Sequence, residues 1–318
     1  MIVQRQSERQ RAATPEPIAV VSVSGGKDSV ATLLLALERY GHDHVRAVWA
    51  DTGHEHPLTV EYVTRYLPER LGTAIDTVRA GFSDRIAAKR RYVAEYWPAK
   101  GMPPDVVARA LEYLHPTGIP FLDLCLWKTR FPSTKARFCT EELKCVPLND
   151  YIIATARGLR GHRVESWIGV RRDESAARAD TPDWDVNPRT LLPVHFPIAG
   201  WSADQVFALL RERGVDPNPL YRQGMKRVGC MPCINCTKGE LREISARWPE
   251  EIARVREWVR LVGQISKRGS STFFPLANGV SGIDDAVLWS RTSRGGVQFE
   301  FDAVMPRAEC SSVYGLCE

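Results

Sequence analysis

Six consecutive residues, Ser24-Gly25-Gly26-Lys27-Asp28-Ser29, have the types and order of a phosphate cradle. Glycine admits backbone conformations closed to other residues and lets the chain approach a ligand closely, so peptide N–H groups can converge on an anion at the positive start of a helix. Lys27 would neutralise phosphate charge, Ser24 and Ser29 offer hydroxyls, and Asp28 orients the loop or meets a metal ion. The spacing is not that of the common nucleotide P-loop, which places four residues between its first glycine and Gly-Lys-Ser/Thr.

The second chemistry lies in eight cysteines, at 125, 139, 145, 230, 233, 236, 310 and 317. In a long chain without an export signal, that number points to metal or redox chemistry more than to disulfides. Cys230-x-x-Cys233-x-x-Cys236 opens like a ferredoxin-type run, but Gly239 and Glu240 stand where a fourth nearby cysteine would fall. The missing ligands must be distant. The preferred set is Cys230, Cys233, Cys310 and Cys317, which would pin the tail to the core, with Cys139 and Cys236 in reserve; four thiolates satisfy zinc. Cys125, between Leu124 and Leu126, reads as core.

These residues need elements to position them. An apolar run over 18–23 reads as a strand entering the glycine loop, and helical spacing over 30–37 as the helix leaving it. A second strand over 45–50 ends in Asp51-Thr52-Gly53-His54-Glu55-His56. Ligands of open parallel sheets lie outside the carboxyl ends of strands, which puts Asp51, Thr52 and Gly53 beside the cradle and makes Asp51 a magnesium or ribose contact. His54 and His56 read as a turn and cap ahead of a helix from Pro57, with a two-histidine metal site as the weaker alternative.

A helix over 57–71, a strand over 74–78 and a helix over 83–97 follow; Lys89-Arg90-Arg91 in the last reads as a solvated face. Prolines 98, 103, 104, 116 and 120 interrupt a helical stretch to 131, an insertion over the sheet. A helix from near Thr140 would place Cys139 at its entrance, where the dipole favours a thiolate. A strand over 164–170 delivers Gly169 and Arg171; Arg171 can fork onto phosphate or sulfate or pair with Glu174 at the surface. A last strand over 191–198, a capping box Ser202-x-x-Gln205 and an extended loop over 216–221 lead to the cysteines.

Hydrophobic content of 44%, charged content of 25% and a net charge of +5 are those of a globular chain that tolerates anionic partners without requiring them. No apolar run approaches a membrane span and the polar stretch 1–17 has no signal-peptide core, so the expected location is cytoplasmic, with no membrane partner. The expected division is a flexible arm at 1–17, a nucleotide-binding α/β domain at 18–225, and a cysteine-rich helical region with its tail at 226–318.

The loop at 24–29 resembles the Ser-Gly-Gly-x-Asp-Ser signature of PP-loop ATP pyrophosphatases. Together with Asp-Thr-Gly-His-Glu at 51–55, Arg-Phe-Cys-Thr-x-x-Leu-Lys at 137–144, Gly-Val-Arg-x-Asp-Glu-Ser at 169–175 and Asn-Pro-Leu-Tyr at 218–221, it is similar to the phosphoadenosine phosphosulfate (PAPS) reductase family over about residues 18 to 236. The resemblance implies a doubly wound, mostly parallel α/β sheet of the adenine nucleotide α-hydrolase kind, binding ATP or PAPS with Mg2+. It implies phosphate contacts from Ser24 to Ser29, a distal phosphate or sulfate on Arg171, and Lys27, Asp28 and Arg171 as the catalytic set. It also favours a 4Fe-4S iron-sulfur cluster over zinc.

The implied activity is ATP cleavage at the α–β bond to activate a nucleic-acid or small-molecule acceptor for sulfur transfer, with a cysteine desulfurase as sulfur donor and an oligomer left open. The alternatives are PAPS or APS reduction with thioredoxin, and a zinc-stabilised nucleotide or nucleic-acid binding module. The chain departs from the reductases at Glu309-Cys310-Ser311-Ser312, where they carry Glu-Cys-Gly-x-His, and at Phe138, where iron-sulfur APS reductases have the first of two adjacent cysteines.

Overall fold

Strand and helix alternate through the first half of the chain, as parallel neighbours that need crossovers require. The computed structural model describes residues 16–159, 161–274 and 282–293; the arm up to residue 15 and the tail thiols Cys310 and Cys317 lie outside them. β1 (Ile18–Ser22) is followed by α1 (Lys27–Tyr40), β2 (Val45–Ala50), α2 (Pro57–Glu61), a π turn (Tyr62–Tyr66) continuous with α3 (Leu67–Leu71), and β3 (Ile75–Val78). The helices α4 (Ser83–Ala99), α5 (Pro104–Tyr113) and α6 (Pro120–Lys128) come next, each of the last two opening on a proline whose missing N–H costs nothing there. α7 (Phe138–Thr140) runs through a π turn (Glu141–Cys145) into α8 (Val146–Gly158), ahead of β4 (Val164–Trp167).

The sheet order is β3-β2-β1-β4-β6-β5, with β5 (Trp184–Val186) and β6 (Pro193–His195) completing it. All pairs are parallel except β5 with β6. Every residue of β1 is buried because both its faces are covered. Ala19 and Val21 pack with Leu33, Leu67 and Leu210 on one side, whereas Ile18 and Val20 pack with Leu148 and Ile152 on the other. The chain therefore forms the expected doubly wound, mostly parallel α/β sheet. From β1 it winds outward through β2 and β3, then returns to β4 on β1's other side. That reversal opens a crevice at the carboxyl ends of β1 and β4, where such sheets bind ligands.

α9 (Ala203–Glu212), with its capping box from Ser202 and Gln205, leads to α10 (Pro219–Arg222), then α11 (Lys238–Arg247), α12 (Pro249–Gln264) and α13 (Ile283–Ser290). One apolar core joins α4, α5 and α6 to α11, α12 and α13 through Ile86, Trp97, Leu124, Ile244, Trp258 and Ile283. Met225, Val228 and Met231 belong to that core, so the cysteine segment is anchored in a helical body built from both parts of the sequence.

One local reading is corrected. The loop over 216–221 is not wholly extended, because Asn218 accepts a hydrogen bond from Leu220 N and Pro219 starts a helical turn. The strand in 191–198 is β6, the last in chain order, and β5 lies outside it in the sheet, a three-residue strand exposed throughout and so without an alternating pattern. Among the described residues no helix is long and apolar enough to cross a membrane.

Candidate nucleotide and thiol site

The loop from β1 to α1 is held open by its own side chains. Ser29 Oγ donates to Gly26 O at 3.0 Å and accepts from Ser24 N at 3.0 Å, so the two serines lace the loop across the helix start. Gly25 has φ +82°, and a Cβ there would meet Val63 Cγ2 at 2.8 Å, so only glycine fits. Helix α1 begins at Lys27 after Gly26, a glycine that has no side chain to cap it. The first turn beyond Lys27 N keeps the anion-seeking character of a helix start. Lys27 N donates to the Tyr221 hydroxyl at 3.1 Å, and Asn218 Nδ2 donates to Gly25 O at 3.3 Å. The Asn218-to-Tyr221 turn thus braces the cradle from the side of the cysteines.

Asp28 is completely buried at the centre of the charges. Lys27 Nζ donates to one carboxylate oxygen and Arg171 Nε to the other, each at 2.6 Å. Arg171 is itself buried and also reaches Asp173 and Glu174, at 3.9 Å to the latter. Its pairing is therefore neither at the surface nor with Glu174 alone. The guanidinium that sequence reasoning assigned to a distal phosphate is turned here onto Asp28, and the three catalytic candidates form one buried ion cluster. Buried charge persists only when it is paired.

β4 approaches this cluster through Gly169, where a Cβ would lie 2.7 Å from the backbone C and O of Asp28. Backbone cannot yield as a flexible side chain would. Gly169→Ala is therefore expected to cost about 1–3 kcal/mol as an overpacked position, read as a lower urea midpoint with an unchanged slope.

The loop after β2 leads from the sheet's carboxyl edge to the thiols. Asp51 accepts from Gly53 N at 2.8 Å and pairs with Arg79 at 2.8 Å. Thr52 Oγ1 donates to Glu55 at 2.7 Å and lies 3.6 Å from Cys230 Sγ, while Glu55 and Cys230 form an antiparallel bridge. Met231 N donates to His54 O at 2.9 Å.

His54 is not arranged as a ligand. Its Nε2 meets Pro232 O at 2.9 Å, its Nδ1 lies 3.2 Å from Arg254, and its ring packs 4.4 Å from Phe121 and 4.9 Å from Trp258. His56 caps α2, accepting from Leu58 N at 3.1 Å. The two histidines serve architecture, as a cap and a buried wedge.

Burial first, and Arg254 second, lower the His54 pKa to about 3. The unfolded chain takes up this proton below about pH 6.5. The contribution to stability is therefore complete above pH 6.5 and is lost as pH falls toward 3, with roughly 2 kcal/mol gone by pH 5. Urea melts at pH 7 and pH 5 read this directly, and His54→Gln should flatten the difference.

The described thiols gather around Cys233. Cys139, Cys230 and Cys236 each interact with it, so the reserve cysteines join the preferred pair while Cys310 and Cys317 remain undescribed. Burial pushes the Cys139 thiol up to about 11 and those of Cys230 and Cys236 upward too. For Cys139 this overturns the dipole expectation, since a short helical turn cannot outweigh desolvation.

Lys144 sits among them. Desolvation lowers its pKa, but Cys230, Glu55, Cys233 and Cys139 together outweigh that and raise it. Lys144 closes the motif at 137–144, and only Cys139 among its partners is near in sequence; Glu55, Cys230 and Cys233 lie more than 80 residues away, so no local signal carries its role. Among the described residues, no three His, Cys, Asp or Glu side chains surround one point as a single tetrahedral ion requires.

A mostly parallel, doubly wound sheet with a glycine loop at its switch point defines the class of α/β protein to which the chain belongs. The phosphoadenosine phosphosulfate reductase domain model matches residues 18–98 and 126–236, and the chain belongs to that family. It is 48% identical over 332 residues to the 37.8 kDa protein of the gpa 5' region of Escherichia phage 186, covering 95% of this chain and 97% of that one. The adenosine 5'-phosphosulfate reductase of Rhizobium tropici is 39% identical over 104 residues, 32% of this chain and 56% of its own. That of Allochromatium vinosum is 28% identical over 228 residues, 71% of each chain. A crystal structure of the PAPS reductase of Candida auris in a phosphate complex matches at 16% identity with a TM-score of 0.40, over 69% of this chain and 84% of that one.

Proposed function

We propose that the chain is a PP-loop enzyme that binds ATP with Mg2+ at residues 24–29, cleaves the α–β phosphate bond and so activates an acceptor for sulfur transfer at the neighbouring thiols. The observation that carries this reading is the turn 218–221, whose Tyr221 and Asn218 hold the glycine loop and from which the chain runs on to Cys230. An acceptor oxygen would bond to the α-phosphorus as the bond to the β-phosphate oxygen breaks. Pyrophosphate leaves, and a sulfur nucleophile then displaces AMP. Lys27 and the N–H groups of the first turn of α1 would stabilise the charge that builds on the departing pyrophosphate. Arg171 acts by fixing Asp28, and Asp28 by aiming Lys27.

Cys139, Cys230, Cys233 and Cys236 would hold a 4Fe-4S cluster, with Lys144 offsetting its negative charge. The donor set fits, because a cluster binds each thiolate to a different iron and needs no common point, as zinc would. When bound, the cluster supplies a redox-active anionic centre.

A second reading, reduction of a sulfonucleotide to sulfite and AMP by two thiol electrons, is favoured by the likeness to two adenosine 5'-phosphosulfate reductases. One experiment separates the two. Anaerobically purified protein is assayed for iron, sulfide and zinc, then given ATP or a sulfonucleotide. Pyrophosphate from ATP supports the first reading, and sulfite without pyrophosphate overturns it in favour of the second.

A further inference from the structure

Beside the thiols, aromatic rings with cations over them line the helical body in two groups, from Phe138 through Trp127 to Phe82 and, one helical turn on, along the outer part of α4. Near the thiols, Phe138, next to Cys139, has Arg130 at 5.4 Å and Lys128 at 5.7 Å from its ring centre. Lys128 also lies 3.8 Å from the centre of Trp127, and Arg85 approaches the same ring at 4.5 Å. Trp127 in turn stacks on Phe82 at 5.8 Å. One helical turn beyond Arg85 the pattern repeats, with Lys89 5.3 Å from the ring of Tyr92, and Tyr92 stacked on Tyr96 at 5.3 Å. Tyr92 and Tyr96 are 36% and 53% exposed, unusual for two large rings side by side.

The charge along this path is unbalanced. Glu142 pairs with Arg85 at 2.6 Å and Lys128 at 3.1 Å and is the one acid that meets it among the described residues. Lys89, Arg130 and Lys267 have no described acidic partner, and the closeness of Lys267 adds to the desolvation that depresses the Lys89 pKa. Lys89 and Arg130, each over a ring and without a described carboxylate, leave positive charge on this face for an anion from outside. From Arg85 to Tyr96 the helix face measures roughly 16 Å at 1.5 Å per residue, and the ring path across Trp127 to Phe138 adds to it.

The geometry points to a binding track for single-stranded nucleic acid, its backbone following the cations and its unpaired bases stacking on Tyr92 and Tyr96. Flat π faces alternating with cations are what a flexible polyanion carrying rings would use. An acidic peptide would use the charges but leave the rings idle, and a duplex hides its base faces. The track ends at Phe138, beside the thiols. If the activation reading holds, the strand bound there is the acceptor; the binding itself does not depend on that reading.

The test is fluorescence anisotropy of the full-length protein with a labelled 12-nucleotide oligothymidine, at two salt concentrations and in competition with unlabelled 12-base-pair duplex and with anionic vesicles. The single strand should bind at least tenfold more tightly than the duplex and weaken as salt rises. Tyr92→Ala with Tyr96→Ala should weaken binding about tenfold or more, the phenylalanine pair should restore it, and Lys89→Gln should reduce the salt dependence. Unchanged binding in the alanine pair, equal binding of duplex, or displacement by vesicles alone would overturn the track. Lys27→Ala should abolish nucleotide turnover and leave oligonucleotide binding intact, so failure of the catalytic reading and failure of the track are told apart.

Discussion

Lys27→Ala is expected to lower pyrophosphate release from ATP by a hundred- to a thousandfold or more, with thiol and metal content unchanged. Removal of one preorganised donor from a developing oxyanion costs about that much, and Lys27 carries a full charge besides. The side chain is aimed by Asp28, and Asp28 keeps its second partner, Arg171, in the variant. The buried carboxylate is therefore not orphaned, and the variant should fold. Arg171→Met is the contrasting substitution. It strips the same carboxylate of its buried partner, which breaks an interior ion pair at a cost of about 3–5 kcal/mol, so stability should fall together with turnover. A thermal melt beside the pyrophosphate assay separates the two outcomes. If Lys27→Ala turns over at the parent rate, the phosphate assignment at 24–29 is wrong.

The strand-loop-helix at the amino end was legible because its signals are local: an apolar run, two glycines and helical spacing lie within 20 residues. That the strands pair in parallel was implied by their alternation with helices, since parallel neighbours need crossovers. What could not be read were partnerships made by distant segments. Arg171 stands at the end of β4 as expected, but that it grips Asp28 depends on how closely Gly169 lets β4 approach α1. The sequence shows a reactive type at Cys139 near a helix start; it does not show the burial that lifts the thiol to about 11. Cys139 and Cys236 stood in reserve to the tail cysteines, which lie outside the described residues; the packing that sets both beside Cys233 joins segments that no local spacing connects. β5 escaped because three exposed residues carry no period.

Cys233→Ser should have the second largest effect, near-complete loss of iron and sulfide from anaerobically purified protein, with loss of the visible cluster absorbance. The reason is topological. Cys139, Cys230 and Cys236 each neighbour Cys233, so its removal disturbs all three. Serine is close in size but a poor ligand for iron, and the segment's other anchors, Met231 N on His54 O and the Glu55–Cys230 bridge, do not involve the sulfur. The fold should therefore survive, and ATP binding at 24–29 with it. Lys144 sharpens the test: in a metal-loaded protein its cation faces thiolates, so Lys144→Met should weaken cluster retention while Lys144→Arg preserves it. Cys125→Ser, in the apolar core beside Leu124 and Leu126, should leave iron content unchanged. Full iron retention in Cys233→Ser, with loss in a variant of Cys310 or Cys317, would move the metal centre to the tail and leave the Cys233 cluster as buried thiols.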